Sequence, residues 1–328
     1  MVWLKFAICV ALIFFSGQRV ARYGDILAEK TGMGRVWMGV IAIALITSLP
    51  ELFTGISAVT LIKVPDLTIG DLIGANAFNL FNLALLDIAY RNSSIFVTAS
   101  RTHRLTSWFS LILLVVVAVS IVVSLYFPAV RLGWIGWYTP VIIILYLLFV
   151  RKIFYYEKQH PPNQSVNIYD DEVSIRKTLT LFCIAAVIII GAGIWLATIG
   201  DEIAQATGWD QSFVGSLFLA FTTTLPEITV SFTLIKIGAT DMAIANIIGS
   251  NLFNLSIIPI IDIIYSQGPI LAEISESHLV TAAAVFSMTL LLITALTLKP
   301  GRFFRLNWFN ASLIILFLAG TYLSFTIT

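Results

Sequence analysis

The pentapeptide TSLPE at residues 47–51 returns as TTLPE at 223–227, 176 residues further on. Other stretches return with it. YGDILAEKTGMGRVWMG from Tyr23 answers IGDEIAQATGWDQSFVG from Ile199 at the same offset. IGANAFNL (73–80) answers IGSNLFNL (248–255), and LDIAY (86–90) answers IDIIY (261–265), both at an offset of 175. Four matches in the same order, keeping Gly, Asp, Pro, Glu and Asn, mark an internal duplication. The number of membrane crossings in each copy then decides what the chain can fold into.

The chain is 59% hydrophobic and 11% charged, with a mean hydropathy of +0.95. An ordinary soluble domain is roughly 25% charged, so the expected class is an all-α polytopic membrane protein. A window of about 19 residues picks out ten spans, near 2–21, 35–60, 66–87, 105–126, 133–154, 178–199, 211–236, 241–263, 277–298 and 307–326. Val2–Phe15 contains Lys5 and imitates a signal peptide, but no small-x-small cleavage site follows, and the duplication makes it a retained first helix. Ten spans divide into two repeats of five, 1–154 and 178–328, joined by a polar linker at 155–177. Five is odd, so the second copy enters the membrane upside down. This is the inverted-topology plan of secondary transporters, whose sites lie at the repeat interface near the midplane.

Alternate connections hold sixteen of the 19 Lys and Arg, and the opposite side holds only Lys5, Lys63 and Arg131. The positive-inside rule places the linker in the cytoplasm and both termini outside, in a plasma membrane. A net charge of +1 and the lack of a basic cluster interleaved with aromatics set nucleic acid aside. Cys9 and Cys183 fall in apolar runs and read as small hydrophobes, with no disulfide or metal role. No cofactor is expected.

Spans 2 and 7 carry what hydrocarbon should reject. Pro50 and Pro226 have no N–H, so the carbonyls of Ile46 and Thr222 lose their intrahelical partner. Thr47, Ser48, Thr223 and Thr224 bring hydroxyls beside them, and Glu51 and Glu227 bring carboxylates. Carbonyls, hydroxyls and carboxylates are the ligands of hard cations such as Na⁺ and Ca²⁺. A kinked helix whose hydroxyls satisfy its own backbone accounts for one TSLP. It does not account for an intramembrane Glu at matching places in both copies.

On span 3, Asp71, Ala75, Asn79 and Asn82 line one stripe; on span 8 it is Asn246, Ser250, Asn254 and Ile257. The Asn residues serve either as neutral cation ligands or as hydrogen-bonding glue between helices. Gly70, Gly74 and Gly249 are expected to let neighbouring helices approach. Asp87 and Asp262, at span ends, read as interfacial residues. Asp25 and Asp201, each after a Gly, read as turn or cap residues. His103, His160 and His278 lie near span ends or in the linker and carry no metal reading.

TSLPE, IGANAFN, TTLPE and IGSNLFN together resemble the two α-repeats of the cation/calcium antiporter superfamily, and most closely its prokaryotic sodium/calcium exchangers. The resemblance covers the whole chain. It implies that spans 2, 3, 7 and 8 enclose the ion sites while spans 1 and 6 slide across them. It puts the central carboxylates at Glu51 and Glu227, and the hydroxyl ligands at Thr47, Ser48, Thr223, Thr224 and Ser250. Carbonyl ligands fall at Ala44 and Ala220, and side-chain amides at Asn79 and Asn254. The chain departs from the pattern at three places: Asn254 where an Asp is often found, Ala75 where a Ser is, and Asp71 where a neutral residue is. Asp71 is expected to restore part of the missing negative charge near the outer entrance.

The function expected is exchange of Ca²⁺ for Na⁺ by alternating access, carried out by a monomer in the bilayer. Proton coupling on the same fold and a cation channel are the alternatives. No GxxxxGK[ST] loop, HExxH or Ser–His pair is present, and TIGDL (68–72) has Thr68 where an aspartyl GxGD motif needs Gly, so an enzyme is not expected.

Overall fold

Two helices break at corresponding places, each just ahead of a proline, and the rest of the architecture is arranged around those breaks. The structure, a computed structural model, describes residues 2–90, 94–127, 130–160, 174–207, 219–299 and 307–327. Most of the linker at 155–177, the start of the expected seventh span and the second half of the IGDEIAQATGWDQSFVG match lie outside the described residues.

The first half runs through α1 (Val2–Thr31), the interrupted α2 (Arg35–Leu61), α3 (Pro65–Ala89), α4 (Arg101–Tyr126) and α5 (Tyr138–Gln159). The second half runs through α6 (Ile175–Thr207), the interrupted α7 (Leu219–Thr223 and Leu225–Lys236), α8 (Thr240–Ile264), α9 (Ser277–Leu298) and α10 (Trp308–Ile327). Among the described residues eight helices are long and apolar enough to cross a membrane, and α10 adds a shorter apolar one. The protein is an all-α, multi-pass membrane protein. One two-stranded hairpin, Arg131–Leu132 with Ile135–Gly136, delays the start of α5 to Tyr138.

The α2 break follows from backbone chemistry. Without an N–H on Pro50 the helix cannot continue its hydrogen-bond ladder, and Ser48 leaves helical geometry at φ −94° and ψ 4°. Two π-helical stretches, Met38–Ile43 and Ala58–Ile62, flank the break. Insertions of this kind gather at functional sites. Thr224 marks the equivalent break in α7, at φ −81° and ψ −1° ahead of Pro226.

Packing separates two bodies. Apolar residues of α3, α4, α5, α8, α9 and α10 make the larger core together with parts of α2 and α7. A second core holds α1 and α6 together along their length, and lays them on α2, α7 and the start of α8. Close approach depends on glycine at the α2–α8 crossing: a Cβ on Gly249 would lie 2.6 Å from the Val40 carbonyl, and one on Gly39 2.6 Å from Ala245. Gly70 instead makes room for the His278 ring, at 3.1 Å.

Several acidic residues occupy other environments than their positions in the sequence suggest. Asp25 is neither turn nor cap: α1 continues ten residues past its expected end, and Asp25 is buried there with Arg35 Nε donating to it at 2.6 Å. The backbone of α6 likewise runs helically through Asp201. Hydropathy ends a span at its first charges, whereas the helix goes on beyond the hydrocarbon. Asp87 and Asp262 lie near the ends of their helices and are fully buried there. The turns after their helices fold back over them, so that Ile95 N donates to Asp87 and Ile270 N to Asp262, each at 2.7 Å. Asn307 and Asn310 also donate to Asp87, and Tyr138, Thr139 and Gly136 N to Asp262.

A further pair of contacts is exchanged between the halves. His103 Nε2 on α4 meets Asp241 of α8 at 2.8 Å, and His278 Nε2 on α9 meets Asp66 of α3 at 2.9 Å. Ser100 N and Ser275 N donate to the same carboxylates. Each partner in the first clasp has its copy in the second, 175 residues away. The helices that carry the breaks' neighbours are thereby fastened to the opposite repeat.

Candidate cation site

Each broken helix points the first turn after its break into the middle of the bundle. Pro50 and Pro226 stand at the first turns of the two distal segments, and Glu51 and Glu227 follow them directly. Both carboxylates have 0% exposure, as do Thr47, Ser48, Thr223 and Thr224 at the breaks. The helices α3 and α8 close the space with Asp71, Asn79, Asn246, Ser250 and Asn254, none more than 1% exposed.

The contacts cross between the repeats. Ser48 Oγ in α2 donates to Glu227 Oε1 at 3.0 Å, and Ser250 Oγ lies 3.3 Å from the same oxygen. Thr47 Oγ1 sits within 3.3 Å of Asn246 Oδ1 and 3.4 Å of Ser250 Oγ. In the mirrored position Thr223 Oγ1 donates to Asp71 Oδ1 at 3.3 Å. Asp71 therefore lies inside the polar cluster, at 1% exposure, where the expectation had it near an entrance. The carbonyls of Ala44 and Ala220 face their own breaks: Ser48 N and Thr224 N donate to them at 3.0 and 3.3 Å, and the Thr47 and Thr223 hydroxyls sit 3.3 Å away. Thr224 Oγ1 turns back to the Ala220 carbonyl, at 3.0 Å.

What these groups lack matters more than what they have. Both oxygens of Glu51, Oε2 of Glu227 and Oδ2 of Asp71 are buried with no hydrogen-bond donor. Both polar atoms of Asn79 and Oδ1 of Asn254 are likewise without a hydrogen-bond partner. Leaving one buried acceptor unpaired costs about 1–3 kcal/mol, and more for a charged one. Among the described residues no Lys, Arg or His pairs with Glu51, Glu227 or Asp71. Glu51 also sits within electrostatic reach of the other two carboxylates. Buried charges without a partner are the mark of a site that a cation completes.

The donor set restricts which cation. Every available atom is a carboxylate, hydroxyl, amide or backbone oxygen, the choice of Na⁺ or Ca²⁺ rather than of a softer metal. Among the described residues no three His, Cys, Asp or Glu side chains draw together tightly enough to hold a metal by themselves. A cation placed here would meet neutral oxygens as well as the carboxylates of Glu51, Glu227 and Asp71.

All twelve candidate residues fall on the four helices named for them and all are buried; hydrogen bonds join Ser48 and Ser250 to Glu227, Thr47 to Ser250, and Thr223 to Asp71. Two residues not expected as site members take part. Asn246 orients Thr47 and donates to Ser231 at 3.0 Å. Asn76 accepts from Asn254 Nδ2 at 3.1 Å, which ties one face of that amide and leaves its oxygen free. Asn246 is legible as the first member of the span-8 stripe. Asn76 lies off its stripe, and only the crossing of α3 with α8 brings it in.

Comparisons with known proteins agree with this architecture. The inner membrane protein YrbG of Escherichia coli (strain K12) is 23% identical over 251 residues, 75% of this chain and 74% of its own length. A membrane protein of Methanocaldococcus jannaschii is 24% identical over 251 residues, 76% of this chain and 77% of its own. Among solved structures, the sodium-calcium exchanger NCX_Mj soaked with 10 mM Na⁺ and zero Ca²⁺ superposes with a TM-score of 0.74 at 21% identity, over 98% of this chain and 99% of its own. That likeness carries the fold. The family model described as "Sodium/calcium exchanger protein" matches residues 1–155 and 177–328, leaving out the linker between its two end residues. With a match over nearly its whole length, the chain belongs to the sodium/calcium exchanger protein family, whose members are cation antiporters rather than enzymes.

Proposed function

We propose that this protein exchanges Ca²⁺ for Na⁺ across the membrane by alternating access, with both ions competing for the oxygens around Glu51 and Glu227. One observation carries the reading: carboxylate oxygens from both inverted repeats are fully buried, unpaired and mutually close, with no basic side chain among them. The site is costly when empty. Occupancy by either ion lowers that cost, so a state that closes around the site is favoured only when loaded. A gradient can drive the cycle because the ions bind its states differently.

The packing supports a moving part. The α1–α6 pair forms its own apolar core and rests on the broken helices, where a Cβ on Gly193 of α6 would lie 2.5 Å from the Pro50 ring. Sliding this pair over the breaks opens the site to one side or the other. In this reading 1–154 and 178–328 are the two repeats, 155–177 is a cytoplasmic linker, both termini are outside, and a monomer in the plasma membrane suffices. Asp71 is a third acidic ligand on the side of Glu51.

The test is counter-ion flux in proteoliposomes. A Na⁺ gradient is expected to drive ⁴⁵Ca²⁺ uptake in the wild type, and neither Glu51→Gln nor Glu227→Gln should sustain it. Uptake driven by a proton gradient alone would move the coupling ion to H⁺. Flux that needs no counter-ion would make the protein a channel. Full transport in both variants would remove the site.

A further inference from the structure

The two ends of the α1–α6 pair are unlike each other. At one end α1, the first turn of α6 and the last turn of α7 surround a cavity of about 770 Å³. Arg19 and Arg22 of α1 and Lys177 of α6 line it, together with Ser174, Thr178 and Tyr23. Its remaining wall is apolar, from Phe15, Ile26, Leu181 and Ile237. Among the described residues no acidic side chain lines it. Among the described residues none of the three cations makes an ion pair; the one hydrogen bond they donate is from Arg19 Nη1 to the Phe15 carbonyl, at 3.2 Å.

The copies of these cations at the other end of the pair are not basic. The duplication places Trp195 where α1 has Arg19, Thr198 where it has Arg22, and Met1 where α6 has Lys177. There the helices are joined by a Lys5–Glu202 ion pair at 2.8 Å. Packing this helix pair therefore does not call for three unneutralised cations, and their convergence on one cavity asks for an anion.

We propose that the cavity holds the phosphate headgroup of an anionic phospholipid. Three arguments select a lipid over other anions. The cavity joins basic groups to apolar walls, as a phospholipid joins a phosphate to its acyl chains. Below it the membrane face of α1 continues apolar and exposed through Phe15, Leu12, Ile8 and Leu4, a track for an acyl chain. All three contributing segments also adjoin the connections that hold the excess of Lys and Arg, the side on which basic pockets between helices bind such headgroups. A headgroup seated there touches α1, α6 and α7 at once. It bridges the sliding pair to a helix of the site and ties their relative position to the lipid.

The binding test needs no transport, so its failure and a failure of the exchange reading are separable. Delipidated protein is titrated with phosphatidylglycerol and with phosphatidylcholine, and bound lipid is counted by native mass spectrometry. Phosphatidylglycerol is expected to bind with at least a tenfold preference. Removing each charge by Arg19→Gln, Arg22→Gln or Lys177→Gln should weaken it roughly fivefold. Arg151→Gln with Lys152→Gln, two cations of α5 outside the cavity, should leave it unchanged. Equal loss in the control and cavity variants, or equal binding of both lipids, would overturn the proposal. Competition by millimolar inorganic phosphate that empties the site would replace the lipid by a free anion. Thermal melting of each variant tells a loss of binding from a loss of fold.

Discussion

Glu51 and Glu227 are copies of one residue, yet one is dressed and the other bare. Glu227 receives hydroxyls from Ser48 and Ser250. The copies of those donors on the other side are Thr224, which turns back onto its own backbone, and Ala75, which has no hydroxyl. Glu51 is left with both oxygens unpartnered. The same side also carries the extra acid, because Asp71 stands where the second copy has Asn246. Donors have thus been withdrawn and charge added around one carboxylate. Two related halves can be tuned separately: around Glu227 one carboxylate oxygen is served by hydroxyls, and around Glu51 neither is.

The comparison is broken most directly at the carboxylates. In proteoliposomes both Glu51→Gln and Glu227→Gln should cut Na⁺-driven ⁴⁵Ca²⁺ uptake by on the order of a hundredfold, the loss of a buried charged ligand. Their melting temperatures in ion-free buffer should then separate them. Glu51→Gln relieves two unpaired buried oxygens and is expected to raise the melting point by a few degrees, whereas Glu227→Gln gains less, because Ser48 and Ser250 already serve Oε1 and only Oε2 is unpaired. Equal shifts would mean that the bare and dressed halves are energetically alike.

Asp71→Asn makes the third helix match the eighth. Ca²⁺ affinity, followed by isothermal titration, should fall about tenfold, and unchanged affinity would exclude Asp71 from the site. A smaller effect is expected from Ala75→Ser, which supplies Glu51 with the copy of the Ser250 hydroxyl. One added neutral oxygen is worth about 1 kcal/mol, so apparent Na⁺ affinity should improve roughly fivefold or less, as read from the Na⁺ dependence of uptake. The smallest difference lies away from the ions, in the two clasps. His103 is fully buried while Asp66 is 44% exposed, so Asp241→Asn should lower the melting point by a few degrees and Asp66→Asn by less.

The breaks, the two glutamates and the polar stripes were legible from sequence because local rules govern them. A proline stops a ladder wherever it stands, and a 3.6-residue period tells which residues share a face. The duplication then doubled every such signal. The clasps were not legible. His103 and Asp241 are 138 residues apart, and only the swap of contacts between repeats brings them together. The burial of Asp87 and Asp262 was not legible for a related reason: position along a span measures depth, while their hydrogen-bond partners, such as Asn310 and Tyr138, come from elsewhere in the chain. For Asp25 and Asp201 the error was one of length, since a helix does not end where its hydropathy does.

The crossing of α3 and α8 retains a sign of how such a molecule arises. Asn76 Nδ2 donates to the Asn251 carbonyl at 3.3 Å, and Asn251 Nδ2 donates to the Asn76 carbonyl at 3.2 Å. The two residues are copies of one another, 175 positions apart. Residue i touching j while j touches i is the grammar of an isologous dimer contact. A five-helix chain that inserted in both orientations would make this contact with its twin, and a single substitution would then strike both sides of the interface together. Once the copies are joined in one chain, each side mutates alone. Asp71 opposite Asn246, and Ala75 opposite Ser250, are changes that a homodimer could never make one at a time.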